Sequence, residues 1–134
     1  MHAILQALPG ATITALIVWL PMLPEDGAAA AAEAAHVCAD RRARHFYDPE
    51  KISGKAIAAA VGGAGRVAWD VYLVYPPGAR WDHDPPVPAA WRHQLGDSSW
   101  ADAAHYRAGE ALLADLRAAV SAALQANRGS GEVG

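Results

Sequence analysis

Asp82-His83-Asp84, with His93 ten residues further on, is the group of side chains in this chain best suited to chemistry. In a loop both imidazoles can turn toward one point, and a flanking carboxylate can fix a ring by accepting its second N–H. His83 and His93 are therefore candidate metal ligands, although a solvated polar turn would use the same residues. His36, Cys38, Asp40 and His45 are four further ligand types close in sequence. Residues two apart on a helix, however, point about 200° apart and do not chelate one ion. Asp70 stands inside the apolar run from Val67 to Tyr75. A carboxylate there is costly to bury unless partnered, and a raised pKa would make it a proton-transfer group, so Asp70 is the candidate catalytic residue. A side chain that reaches solvent is the alternative. Trp69, Trp81, Trp91 and Trp100 bracket the same region. They are suited to wall a groove for a peptide or a small molecule, or simply to seal a small core.

Other signatures are excluded or weak. Cys38 is the only cysteine, which rules out an internal disulfide, a Cys-x-x-Cys pair and a multi-thiolate zinc site within one copy of the chain. Beside His36 it reads as a small buried hydrophobe rather than a reactive thiol. Gly63-Ala-Gly65-Arg-Val-Ala68 has the letters of a dinucleotide fingerprint. It follows a helix and opens a strand, the reverse of the context that places a pyrophosphate on a helix N-terminus, so it reads as a helix stop. No Walker loop or G-x-S-x-G elbow is present.

The elements that must position these residues follow from spacing and punctuation. With 134 residues and a formal charge of −3, the chain is long enough for one core, expected over residues 1–126 with a tail at 127–134. Its scattered Lys and Arg make no stripe for nucleic acid or an anionic membrane. The uncharged start up to Pro24 is broken by Pro9-Gly10 and lacks a positive flank, so it reads as helix, turn and strand rather than a signal peptide or anchor; as given the chain would be cytoplasmic, but its residues do not specify a compartment. A helix ends at Leu8, a continuous apolar strand runs from Ala11 to Leu20, and an Ala-rich helix reaches Ala39. A short strand covers Ala43 to Tyr47. Asp48-Pro49 opens a helix that Gly62-Gly63 closes near Val61. Val67, Trp69, Val71, Leu73 and Tyr75 alternate as in a strand from Arg66 to Tyr75, Pro76-Pro77-Gly78 forms a type II turn, and Arg80 to Asp82 is the expected returning strand. A proline-rich loop spans Asp82 to Leu95. Ser99-Trp-Ala-Asp102 resembles a capping box for a long helix to about Ala126.

Ile17-Val-Trp-Leu-Pro-Met-Leu23, Arg44-His-Phe-Tyr-Asp48, Ala68-Trp-Asp-Val-Tyr-Leu-Val-Tyr75 and Trp91-Arg-His-Gln-Leu95 resemble a bacterial group of thioredoxin-like proteins without assigned activity. The resemblance runs from Met1 to about Leu124. It implies an α/β fold with one mixed sheet flanked by helices, a C-terminal hairpin and a long closing helix. It also implies that the helix ending at Leu8 is the remainder of the active-site helix. The strand and the redox cysteines that precede that helix in the family have no counterpart here, nor has the cis-proline before the hairpin strand, where this chain has Val67-Ala68-Trp69-Asp70. The resemblance therefore carries a fold and not an activity.

The expected protein is a thioredoxin-like domain without redox cysteines and without a cofactor. It acts as a binding or structural module for a protein, peptide or small molecule, or is a truncated thiol oxidoreductase. A homodimer is a further expectation. The alternative is a small enzyme or metal-binding protein using Asp70, His83 and His93. The absent central strand leaves three outcomes: the strands at Ala11–Leu20 and Arg66–Tyr75 close up and pair, a second copy supplies a strand, or the natural reading frame starts upstream of Met1. The last is favoured because the first helix is too short to stand alone.

Overall fold

The computed structural model describes residues 1–97 and 99–130. Its elements in chain order are α1 (His2–Ala7), β1 (Ala15–Trp19), α2 (Ala28–Ala35) continued by a 3-10 turn at His36–Cys38, β2 (Ala43–Tyr47), α3 (Ile52–Ala60), β3 (Val71–Val74), β4 (Ala90–His93), a 3-10 turn at Ala103–His105, and α4 (Gly109–Ser130). The chain is α/β, as expected. Among the described residues no helix is long and apolar enough to cross a membrane.

The single mixed sheet is corrected to two separate pairs. β1 and β2 are parallel, with Ala15 opposite Ala43 and Trp19 opposite Tyr47. β3 and β4 are antiparallel, with Val71 opposite His93 and Val74 opposite Ala90. β1 and β3 do not pair with each other, so they have not closed up. Helix α1 contributes to both cores: Leu5 clusters with Ala15 and Cys38, against which Ile17 packs, while Ile4 clusters with Leu112 and Leu116, against which Tyr72 and Val74 pack. Two adjacent side chains of one helix thus hold two half-sheets, and α4 supplies the remainder of the second core.

Several boundaries move for local reasons. Pro76-Pro77-Gly78 does make the expected turn, with Gly78 at φ +81 and the Ala79 N–H donating to the Pro76 carbonyl at 3.2 Å. The returning strand, however, is Ala90–His93 and not residues 80–82. The turn reverses the chain, but Trp91 and His93 have the packing partners that Arg80 to Asp82 lack. The strand expected from Arg66 begins only at Val71, because Asp70 sits at φ +54, outside extended geometry. At α3 the Asp48 carboxylate accepts from the Ser53 N–H at 2.7 Å and the Ser53 hydroxyl at 2.6 Å, so Pro49 and Glu50 form a turn and the helix starts three residues later than Pro49. Gly62 at φ +96 ends it, and the Gly63 N–H donates to the Ala58 carbonyl at 2.7 Å, a Schellman closure. Asp102 accepts from the Ala104 N–H at 2.9 Å and caps only the short 3-10 turn, so the expected capping box does not open α4, which begins at Gly109. The expected tail at 127–134 is helical as far as Ser130. Residues 131–134 lie outside the described residues.

Candidate functional site

The residues singled out for chemistry do not assemble into one site. His93 is 1 % exposed. Its Nε2–H donates to the Asp102 carbonyl at 2.8 Å and its Nδ1 accepts from the Leu95 N–H at 3.1 Å. Both ring nitrogens are committed to backbone, which is the role of a core fastener and leaves no lone pair for a metal. His83 stands exposed in the loop. Among the described residues no group of three or more His, Cys, Asp or Glu side chains is placed to hold a metal ion.

Asp70 is exposed, not buried in a strand. Its Oδ1 accepts from the Gln94 amide at 2.9 Å and the Tyr72 hydroxyl at 3.4 Å, while Gln94 also donates to the Tyr72 hydroxyl at 3.0 Å. Burial, and then the Asp70 charge, push the Tyr72 phenol up. The exposed carboxylate thus ties Tyr72 near the start of β3 to Gln94 just past the end of β4.

The tryptophans are dispersed. Trp91 stacks on His105 with ring centroids 4.1 Å apart, and the His105 Nδ1–H donates to the Trp91 carbonyl at 3.0 Å. Trp100 lies flat on Gly63, where a Cβ would come within 2.2 Å of its ring. Trp69 and Trp81 are exposed. They seal or decorate the surface around β4 and do not wall a shared groove.

Each half-sheet has an edge strand whose outward backbone groups pair with no other strand among the described residues. Ala15 donates its N–H to the Arg42 carbonyl at 2.8 Å, and the Trp19 carbonyl accepts from the Asp48 N–H at 3.0 Å. Backbone groups alternate sides along a strand, so Ala15, Ile17 and Trp19 face β2 while the N–H and C=O of Leu16 and Val18 face away from it. On the other side Gln94 donates to the Asp70 carbonyl at 3.1 Å. With Val71 opposite His93, this places Tyr72 and Val74 in the ladder to β4 and turns the backbone of Val71 and Leu73 outward. Among the described residues no hydrogen bond joins these two outward edges.

On β1 and β2 the face away from α1 carries uncovered apolar side chains. Leu16, Val18 and Phe46 are 62 %, 40 % and 49 % exposed and lie together, since Val18 is opposite Phe46 in the register. Parallel strands normally have both faces buried. Here the face toward α1 is packed and the opposite one is open.

Sequence reasoning missed the residue that secures the bridging helix. Arg42 donates through Nη1 to the carbonyl of Leu8 at 2.6 Å and through Nη2 to that of Leu5 at 2.7 Å, giving a second donor to carbonyls at the end of α1 that also accept from the Ala11 and Leu8 N–H groups. It also makes a two-pronged bond to Asp40, 3.0 Å from Nε and 2.7 Å from Nη2. The Arg42 guanidinium, bonded to Asp40, holds that carboxyl far below the usual carboxylate range. The stability this pair contributes is therefore present above the unfolded-state value and lost only as pH falls through the lowered folded-state value. Asp40-x-Arg42 gives no such signal in the sequence, because its carbonyl partners lie more than thirty residues away. Compared with known proteins, the chain matches no family model, no curated protein and no solved structure.

Proposed function

We propose that this chain is a thioredoxin-like domain without redox cysteines that serves as a binding module for polypeptide and performs no thiol–disulfide chemistry. What supports this reading is the presence of two strand pairs, β1-β2 and β3-β4, with residues of α1 in the core of each. A thioredoxin-like sheet lacking its central strand would leave two such pairs. Cys38, the one thiol, is buried, so no second thiol of the chain can resolve a mixed disulfide. The reading that uses Asp70, His83 and His93 has no comparable support.

Reduction of insulin disulfides by dithiothreitol tests it. Turbidity is expected to develop at the same rate with the chain as with dithiothreitol alone, and identically for Cys38→Ser. Acceleration that disappears in Cys38→Ser overturns the proposal.

A further inference from the structure

We propose that His93 is an acid-sensitive latch: its protonation releases β4 from the turn that leads into α4. Such a latch is independent of what the chain binds.

The partners of the ring fix its charge. The Leu95 N–H can only donate, so Nδ1 at 3.1 Å presents a lone pair to it, and the Asp102 carbonyl can only accept, so Nε2 at 2.8 Å carries the proton. His93 is therefore a neutral imidazole held as the Nε2–H tautomer. A second proton would enter at Nδ1 and set one donor against another. With the residue 1 % exposed, the charged ring would also be without solvation where it lies.

The elements packed around the ring do nothing to offset that charge. On β3, Asp70 accepts from Gln94 and Tyr72, and on α4, Asp115 is shared by Arg92 and Arg107. Asp102 faces the ring with its carbonyl, while its carboxylate accepts from the Ala104 N–H. The phenol of Tyr106 meets the ring edge-on, with centroids 5.9 Å apart. His105 differs from His93. It stacks on Trp91, which His93 also touches, and its one bond is the Nδ1–H to the Trp91 carbonyl, so it can take a proton without losing a bond and gains a cation–indole contact when it does. A charged His105 repels a second charge on His93.

The main chain of the same residue carries the junction. Its carbonyl accepts the Arg107 N–H at 3.0 Å, and it forms an isolated parallel bridge with Tyr106. A ring that turns away from Leu95 also abandons the Asp102 carbonyl, so the side-chain and main-chain ties loosen together. The sign of the pH effect follows. In the open form the imidazole takes its proton below about 6.5 with no bond to lose. The closed junction then binds fewer protons than the open one, and its stability falls as pH falls. His45 is bonded in the same manner, accepting from the Trp19 indole at Nδ1 and donating to the Cys38 carbonyl, but it is only partly buried, so water can replace the indole.

Amide exchange followed by NMR at pH about 7.5 and about 5.5 tests the latch, with each rate expressed as protection relative to an unstructured chain at the same pH. One linked proton changes an equilibrium about tenfold per pH unit once the open form is charged. Protection of the Leu95 and Arg107 amides is therefore expected to fall about tenfold at the lower pH, while that of Ala15, bonded to the Arg42 carbonyl in the parallel half, stays the same. The ring-nitrogen chemical shifts of the closed form are expected to be those of neutral Nε2–H imidazole at both pH values. His93→Gln can keep both bonds, Oε1 accepting from Leu95 and Nε2 donating to Asp102, and has no proton to take up, so its protection is expected to be equal at the two pH values. Should that variant not fold, the ring shifts and exchange of the parent chain still decide. The latch is ruled out if the Leu95 and Arg107 amides keep their protection at the lower pH, if Ala15 loses it equally, if the ring becomes imidazolium while both amides stay protected, or if the loss persists in His93→Gln.

Discussion

In the parallel half, β1 and β2 are closed on one face by Leu5, Ile13, Ile17 and Cys38 and held by the Arg42 guanidinium, whereas in the antiparallel half β3 and β4 add a fully buried imidazole and an aromatic stack to the apolar cluster of Ile4, Leu112 and Leu116. The first half is apolar and leaves its second face open. The second is polar at its centre, with His93 tying β4 to the turn at Asp102 and, through the His93 carbonyl, accepting the Arg107 N–H at 3.0 Å. Arg92 and Arg107 then share Asp115 of α4 at 3.1 Å and 2.8 Å. The difference teaches where a defect can be tolerated. An apolar half can lose a layer and still hold by area, while a half built on a satisfied polar group depends on each partner.

Substitutions in each half sharpen this contrast. Leu5 is fully buried and touches the parallel half from the helix that also reaches the other. Leu5→Ala is expected to cost about 2–5 kcal/mol in urea unfolding, and a loss below 1 kcal/mol would mean that α1 does not hold the half-sheets together. His93→Leu keeps the volume but strands the Asp102 carbonyl and the Leu95 N–H, at about 1–3 kcal/mol for each group left unsatisfied. Recovery of that loss in His93→Gln would show that hydrogen bonding rather than ring packing is what the site needs. The smallest effect is expected at Tyr75, whose hydroxyl is buried with no hydrogen-bond partner among the described residues. Its phenol is pushed up by burial. Tyr75→Phe is expected to leave thermal stability unchanged or raise it by up to about 1 kcal/mol, and a clear loss would show that the hydroxyl has a partner.

Local signals were legible and distant partners were not. β2 falls on Ala43–Tyr47 as read from the sequence, and Gly62-Gly63 stops α3 as expected, because strand alternation and a left-handed helix end are written in adjacent residues. The turn at Pro76-Pro77-Gly78 is likewise real. What it joins was not readable, since nothing in Arg80 to Asp82 reveals that Ala90–His93 offers better burial beside β3. The same limit applies to the candidate site. A histidine near two aspartates looks like a ligand, and only the fold shows that the backbone carbonyl of Asp102 and N–H of Leu95 have taken both nitrogens of His93.

The Arg42 clamp also orders events during synthesis. Among the elements described, α1 leaves the ribosome first, yet at six residues it is too short to persist unaided. The guanidinium that holds its carbonyls comes more than thirty residues later, and Leu112 and Leu116, against which Ile4 packs, come near the end. The earliest helix to be made is thus the latest to be secured, and an arrest of translation before α4 would leave it a fluctuating segment in front of a partly folded sheet.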